Sequence, residues 1–320
     1  MAKNVTWLAM LAMVLAFGMM VVACDNGSTN GNDDGTTDDG EPLPVSSGAN
    51  TLSGKTYFYY YPIVFSETAA GTANGTYTVI EIVLDNGDYG YPVLVNGKYT
   101  YRDIATGTYS WNENAKTVTL KPALVRDRDE NRLLDRAGLR RSLQARLDDY
   151  RKEFGNSAFN QELAVFGFSS VVAYIDYVVN EAFANETYGY SFSTDGTALF
   201  LAEALPSNKG ANELSGQTYF SNEQEYVFTA SGFTRTDSFN GNVYSIVTGS
   251  YAYNEYYGKK RVWFKPETVD GKSRAEFFAD INVPDEHGYV DDNAYRANET
   301  NEAFRTTCDD YYSTSKTIGS

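Results

Sequence analysis

The sequence predicts a mainly β protein with a helical insertion (α+β). It reads as two repeated antiparallel β-domains, each a barrel or a curved sheet, behind a signal peptide and a disordered linker. Three observations carry this prediction. Runs rich in Thr, Val, Ile and Tyr are punctuated by Asn-Gly and Asp-Gly turns, four sequence blocks recur in the same order, and the first fifty residues differ in composition from the rest. The expected frame is residues 1–23 as signal peptide and 24–49 as tether. Residues 50–206 then form a first β-domain with a helical insertion at about 126–186, and 207–320 a second, shorter repeat.

Lys3 supplies a short positive segment, and an apolar run follows from Val5 to Ala23, broken only by Thr6 and Gly18. The run is long enough for a spanning helix. Its terminal position, the charge before it and the small Ala23 at its end favour a cleavable signal peptide. The segment Val21-Val22-Ala23-Cys24 resembles the lipobox of bacterial lipoproteins. The resemblance implies a diacylglyceryl group on the Cys24 thiol, cleavage before Cys24 by signal peptidase II, and acylation of the new amine, with palmitate as a usual donor chain. One acyl chain holds a protein only marginally, whereas two or three, at about 0.8 kcal/mol per buried CH₂, anchor it stably. The expected location is the cell envelope, on the inner or the outer membrane, periplasmic or surface-exposed.

From Asp25 to Gly40 the chain is almost entirely Asp, Asn, Gly, Thr and Ser. With no apolar side chains to bury, such a run is expected to stay a disordered tether. Asn30, Asn32, Asp34, Gly35 and Glu41 have the spacing of a calcium-binding EF-hand loop, but Asn opens it, Thr37 stands at its usual apolar position and no helix flanks it. No metal site is assigned.

Repetition organises the remainder. Asn50-Thr51-Leu52-Ser53-Gly54-Lys55-Thr56-Tyr57-Phe58 returns 162 residues later as Asn212-Glu213-Leu214-Ser215-Gly216-Gln217-Thr218-Tyr219-Phe220. Thr106-Gly107-Thr108-Tyr109-Ser110-Trp111 answers to Thr248-Gly249-Ser250-Tyr251-Ala252-Tyr253, and Val118-Thr119-Leu120-Lys121-Pro122 to Val262-Trp263-Phe264-Lys265-Pro266. Asn180-Glu181-Ala182-Phe183 recurs as Asn301-Glu302-Ala303-Phe304.

Thr76–Leu84 and Thr117–Leu120 are β-branched and aromatic, as strands require. Asn86-Gly87 and Asn96-Gly97 predict tight hairpins, and Tyr188–Phe192 and Ala198–Ala202 predict a strand pair around Thr194-Asp195-Gly196. About eight short strands in the first domain would close a small barrel. Between them, Leu139, Leu143, Leu147, Tyr150 and Phe154 form a helical stripe. Gln161–Phe183 reads as further helix, with Asn160 as its N-cap.

The Leu-Ser-Gly-x-Thr-Tyr-Phe opening, the hairpin series and the Thr-Gly-x-Tyr strand resemble the small lipocalin-like β-domains of bacterial lipoproteins. That resemblance covers both repeats and implies a barrel or strongly curved sheet; it transfers no binding residue. The second repeat departs from it after Pro266, where its connecting segment is shorter. Tyr311–Ser320 also lacks the apolar strand corresponding to Leu199-Phe200-Leu201, so its barrel is expected to be incomplete or patched by the first domain.

Few side chains suggest chemistry. The net charge of -16 argues against nucleic acid and against a basic membrane-binding patch. His287, the only histidine, falls in Pro284–Gly288, expected to be an exposed turn, and no Gly-x-Ser-x-Gly elbow accompanies it. One His and one free Cys make a poor zinc set, and no phosphate-cradling or dinucleotide glycine motif occurs. Cys308, beside an expected strand, reads as a small buried apolar residue. With Cys24 lipidated it has no cysteine partner within the chain. Forty-two Asp and Glu are better read as a solvated surface than as a hydrolase pair. Tyr59-Tyr60-Tyr61, Tyr256-Tyr257 and Tyr311-Tyr312 belong either to half-buried strand faces or to a recognition surface.

Catalytic, cofactor and metal residues are therefore not assigned, and Cys24 is the one site residue. The leading expectation is a membrane-anchored, non-enzymatic binding or interaction module, taking a small apolar ligand or a protein or glycan partner. A structural or adhesive envelope protein is the alternative, and a carboxylate hydrolase a third.

Overall fold

The computed structural model describes residues 41–59, 61–66, 74–85, 90–127, 132–165, 167–203, 205, 208, 211–221, 223–256 and 259–309. The signal peptide, Cys24, the tether as far as Gly40, the Asn86-Gly87 pair and Tyr311–Ser320 lie outside the described residues.

The protein is mainly β. The strands before the helical segment are β1 (Thr56–Tyr57), β2 (Ile63–Ser66), β3 (Gly75–Ile82), β4 (Leu94–Val95), β5 (Lys98–Tyr99), β6 (Tyr101–Asn112), β7 (Thr117–Asp127) and β8 (Arg132–Leu134). Helices α1 (Arg136–Phe154), α2 (Asn156–Val165) and α3 (Val171–Ala182) follow, then β9 (Glu186–Phe192) and β10 (Leu199–Glu203). The rest of the chain forms β11 (Thr218–Ser221), β12 (Gln224–Phe228), β13 (Gly232–Phe239), β14 (Asn242–Tyr256), β15 (Lys259–Val269) and β16 (Lys272–Ser273), and ends in α4 (Arg274–Asp280) and α5 (Asp292–Asp309).

One sheet has the order β6-β3-β2-β1-β10-β9-β7-β8. Pairing of β6 with β7 closes seven of its strands into a barrel and leaves β8 outside the closure. A separate curved sheet runs in simple chain order from β11 to β16, and β4 and β5 form a two-stranded hairpin. The described residues divide into two compact units, those within 41–54, 64–80 and 102–187 in the first and those within 55–63, 81–101 and 188–309 in the second.

In the first unit β6 and β7 pair antiparallel from Asn112↔Thr117 to Ala105↔Val125, with a bulge between Thr106 and Gly107. Gly107 is obligatory there: a Cβ would stand 2.2 Å from the Lys121 carbonyl oxygen and 2.7 Å from the Tyr77 ring. The helical stripe is buried at Leu139, Leu143, Leu147 and Tyr150 of α1, whereas Phe154, expected to continue it, is 37% exposed at the helix end. They pack with Ile175 and Val179 of α3 and Phe159 of α2. Each such side chain removed from water contributes roughly 1.5–3 kcal/mol. Asp135 caps α1 by accepting from Gly138 N–H at 2.6 Å. Gln161–Phe183 is not one helix. Gly167, at φ 82°, breaks it, Ser170 restarts it by accepting from Ala173 N–H at 3.1 Å, and Asn160 lies inside α2 instead of capping. The left-handed backbone that glycine tolerates is what ends α2.

In the second unit the β13–β14 and β15–β16 turns are Asn240-Gly241 and Asp270-Gly271, all four residues at positive φ as tight hairpins require. β14 and β15 carry a bulge between Thr248 and Gly249, where a Gly249 Cβ would approach the Lys265 carbonyl oxygen to 2.1 Å. Ser273 and Glu276 form a reciprocal capping box at the start of α4. Ala294, Ala297, Asn301 and Phe304 are buried along one side of α5. The helix runs through Thr306 and Thr307 to Asp309, so Cys308 lies in helix and not beside a strand.

β11 to β16 repeat the connectivity of β1, β2, β3, β6, β7 and β8. Among the described residues, β9 and β10 have no counterpart after α5.

Candidate functional site

The barrel interior is filled. Phe65, Tyr109, Val118 and Leu199 are fully buried, and Tyr77 and Leu120 nearly so. The Tyr109 ring stands edge-on to Phe65 at 5.0 Å and occupies the space where Gly75 would carry a Cβ, 2.2 Å away. Burial holds the Tyr77 hydroxyl well above its ordinary pKa, with the Glu186 charge adding to the effect. A surface cleft of about 390 Å³ in the first unit has Leu124, Leu133 and Leu134 as apolar lining and Arg132 and Arg141 at its sides.

The curved sheet differs on its two faces. One is covered: Tyr226, Phe228, Phe233, Val247, Tyr251 and Phe264 pack with Phe304 of α5 and Phe277 of α4. Arg235 and Asp237 follow Phe233 on this face of β13, at 7% and 3% exposure. The Arg235 Nη2 donates to Asp237 Oδ2 at 2.8 Å, while Arg235 Nε and Nη1 and Asp237 Oδ1 are buried without a hydrogen-bond partner among the described residues. A buried ion pair left partly unsatisfied costs stability, because charges taken from water need every bond they can make.

The opposite face carries Phe220, Val227 and Ile246, which are 72%, 39% and 41% exposed. Register aligns them across the sheet: Phe220 opposes Glu225 and Val227 opposes Thr218, while Ile246 opposes Thr236 on β13. Phe239, Val243 and Tyr244 at the β13–β14 end are also exposed. Contiguous exposed apolar side chains mark interaction surfaces in soluble domains, and Phe220 and Val227 lie diagonally across the β11–β12 pair. This outer face is the candidate site.

β11 also has an open edge, pairing with β12 alone among the described strands. Phe228 N–H donates to the Gln217 carbonyl, so alternation of antiparallel bonds turns Thr218 and Phe220 N–H and C=O groups away from β12.

His287 is not an exposed turn residue. Its side chain is only 5% exposed, its Nδ1 accepts from Tyr289 N–H at 3.0 Å and its Nε2 lies 3.1 Å from Asp292 Oδ1. The Tyr295 ring lies 5.2 Å away. Both ring nitrogens are engaged, so His287 staples the loop to the start of α5. No group of three or more His, Cys, Asp or Glu is arranged to hold a metal among the described residues. Among them no helix is long and apolar enough to cross a membrane. Many tyrosines serve the core, including Tyr57, Tyr77, Tyr109, Tyr190, Tyr226 and Tyr251. Tyr60, Tyr257, Tyr311 and Tyr312 fall outside the described residues.

The outer-face site escapes a reading of local sequence because Phe220, Val227 and Ile246 come from three strands and share a face only through register. Comparison with family models, with curated proteins and with solved structures gave no match.

Proposed function

We propose that this chain is a lipid-anchored, non-enzymatic interaction protein of the bacterial cell envelope, and that it engages a protein partner through the outer face of the curved sheet. The observation that carries the reading is the contrast between a barrel filled by Tyr77, Tyr109 and Phe65 and a sheet that leaves Phe220, Val227 and Ile246 in solvent. A filled barrel disfavours an enclosed small ligand, and exposed apolar residues cost solubility unless something binds them. The lipobox resemblance of Val21-Val22-Ala23-Cys24 supports anchoring, with a polar tether of 16 residues from Asp25 to Gly40 allowing a reach of roughly 20–25 Å.

We infer further that residues 50–206 and 207–320 are repeats of one lipocalin-like domain. Supporting this, Asn50 and Tyr109 are bonded as Asn212 and Tyr251 are, and the Gly107 and Gly249 bulges occupy the same place in their hairpins.

Two measurements test the function. Metabolic labelling with palmitate should mark the chain, and Cys24→Ala should abolish the label. A photoreactive residue at Ile246, in intact membranes, should capture one discrete protein. Labelling that survives Cys24→Ala, or diffuse capture unaltered by Phe220→Asp, would contradict the reading.

A second reading, a small polar ligand on the buried face, draws on the unpartnered nitrogens of Arg235 and oxygen of Asp237. A thermal shift on adding α-amino acids, lost in Arg235→Met, would favour it.

A further inference from the structure

The second unit holds both an occupied and an unoccupied version of the same strand edge. β1, with the sequence Thr56-Tyr57, has β2 on one side and β10 on the other, and Tyr57 pairs in parallel with Leu199. β11, with the matching sequence Thr218-Tyr219, has only β12 among the described strands. Exposure follows occupancy. Tyr57 is buried and Phe58 packs beside Ala198, Phe200, Phe278 and Ala297, whereas Tyr219 is half-buried and Phe220 stands 72% exposed. An edge with free N–H and C=O groups and an exposed aromatic is a template for pairing.

We propose that β11 is a strand-acceptor site, and that a partner protein binds by adding one extended segment to it in parallel, as β10 lies on β1. This rests on the interaction reading above and specifies its mode. The chemistry of the donor follows from what the edge presents. Thr218 and Phe220 offer backbone donors and acceptors spaced for an extended chain, which binds by main-chain bonds and is selected through alternate side chains. A donor with apolar residues at successive positions, as Leu199, Phe200 and Leu201 are in β10, covers the Tyr219 ring on one face and the Phe220 ring on the other. Glu223 and Glu225 follow β11, and the chain as a whole carries a net charge of -16. A parallel donor therefore gains from Lys or Arg at its C-terminal end, where it reaches these carboxylates. Natural proteins protect long edges with Lys or Pro; Thr218-Tyr219-Phe220-Ser221 contains neither.

The test uses the full chain in detergent and two fluorescent peptides. One has the sequence of residues 195–203, and the other carries Lys in place of the final Glu. Both should bind saturably, the Lys peptide about two- to fivefold more tightly, as a single exposed ion pair allows. Thr218→Pro removes the outward N–H without touching a β12 bond and should weaken binding at least tenfold with an unchanged melting temperature. Phe220→Lys should do the same. Spin labels on peptide and β11 should report parallel alignment.

Absence of binding, binding indifferent to Thr218→Pro, or antiparallel alignment would overturn the proposal. Concentration-dependent dimers that Thr218→Pro dissolves would also overturn it, by making a second copy the occupant. If the peptides fail while the Ile246 crosslink to a discrete protein persists, strand addition falls and the interaction reading stands. Loss of both removes both.

Discussion

Asn212 Nδ2 donates to the Tyr251 hydroxyl at 2.9 Å, and Asn50 Nδ2 donates to the Tyr109 hydroxyl at the same distance. Each hydroxyl in turn donates to a backbone carbonyl, Thr229 at 2.7 Å and Ser66 at 3.3 Å. Each ring meets a phenylalanine edge-on at 5.0 Å, Phe228 in one case and Phe65 in the other. An asparagine before the first strand thus ties down the long hairpin in both places.

Removing that hydroxyl leaves a buried amide and carbonyl with fewer partners. Tyr109→Phe and Tyr251→Phe should each lower stability by about 1–3 kcal/mol in urea unfolding. Near-equal costs are expected. A cost at only one site would argue against a shared architecture.

The bulge glycines admit no side chain. Gly107→Ala and Gly249→Ala place a Cβ 2.2 and 2.1 Å from a backbone oxygen, which cannot swing away as a side chain could. Each should cost about 3 kcal/mol, at the upper end for overpacking, or prevent folding. Circular dichroism melts compare them with the wild type, and unchanged midpoints would refute the close approach.

Asp195 gives a pH signature. Its Oδ1 accepts from Ser193 Oγ at 2.6 Å, Thr197 Oγ1 at 2.7 Å and Thr197 N–H at 3.0 Å. The Ser193 bond is the largest of the causes that pull its pKa down to about 2. A depressed carboxylate stabilises its turn above the unfolded pKa of about 3.9 and loses that contribution as pH falls toward 2. Carboxyl NMR should place the midpoint near 2 and show the Thr197 amide shifting with it. A midpoint near 4 would contradict the turn geometry.

Arg235 and Asp237 should behave as a coupled pair. Arg235→Met or Asp237→Leu alone strands the other group in the core and should cost about 3–5 kcal/mol, whereas the double change to Met and Leu should cost less than either. Chemical unfolding of the four chains completes the cycle. Additive losses would mean that the two groups do not depend on each other.

Much of the fold is legible in local sequence. The α1 stripe reads directly because Leu139, Leu143 and Leu147 recur at helical spacing, and the β9–β10 turn reads from Thr194-Asp195-Gly196. The break at Gly167 was missed because an apolar run looks continuous until one residue adopts positive φ. The β-branched neighbours of Cys308 favour a strand locally, and only the longer helical spacing from Ala294 to Phe304 reveals the helix. His287 looked solvated because its partners, Asp292 and Tyr295, belong to the next helix. The outer face and the open edge depend on which strands pair, which local propensity does not encode.

Amide hydrogen exchange across residues 218–221 of the full chain tests the central claim most directly. With β11 a free edge, the Thr218 and Phe220 amides should exchange at least about tenfold faster than Tyr219, whose bonds face β12. Equal protection at all three positions would mean that the edge is already covered, and no site would remain for a partner strand.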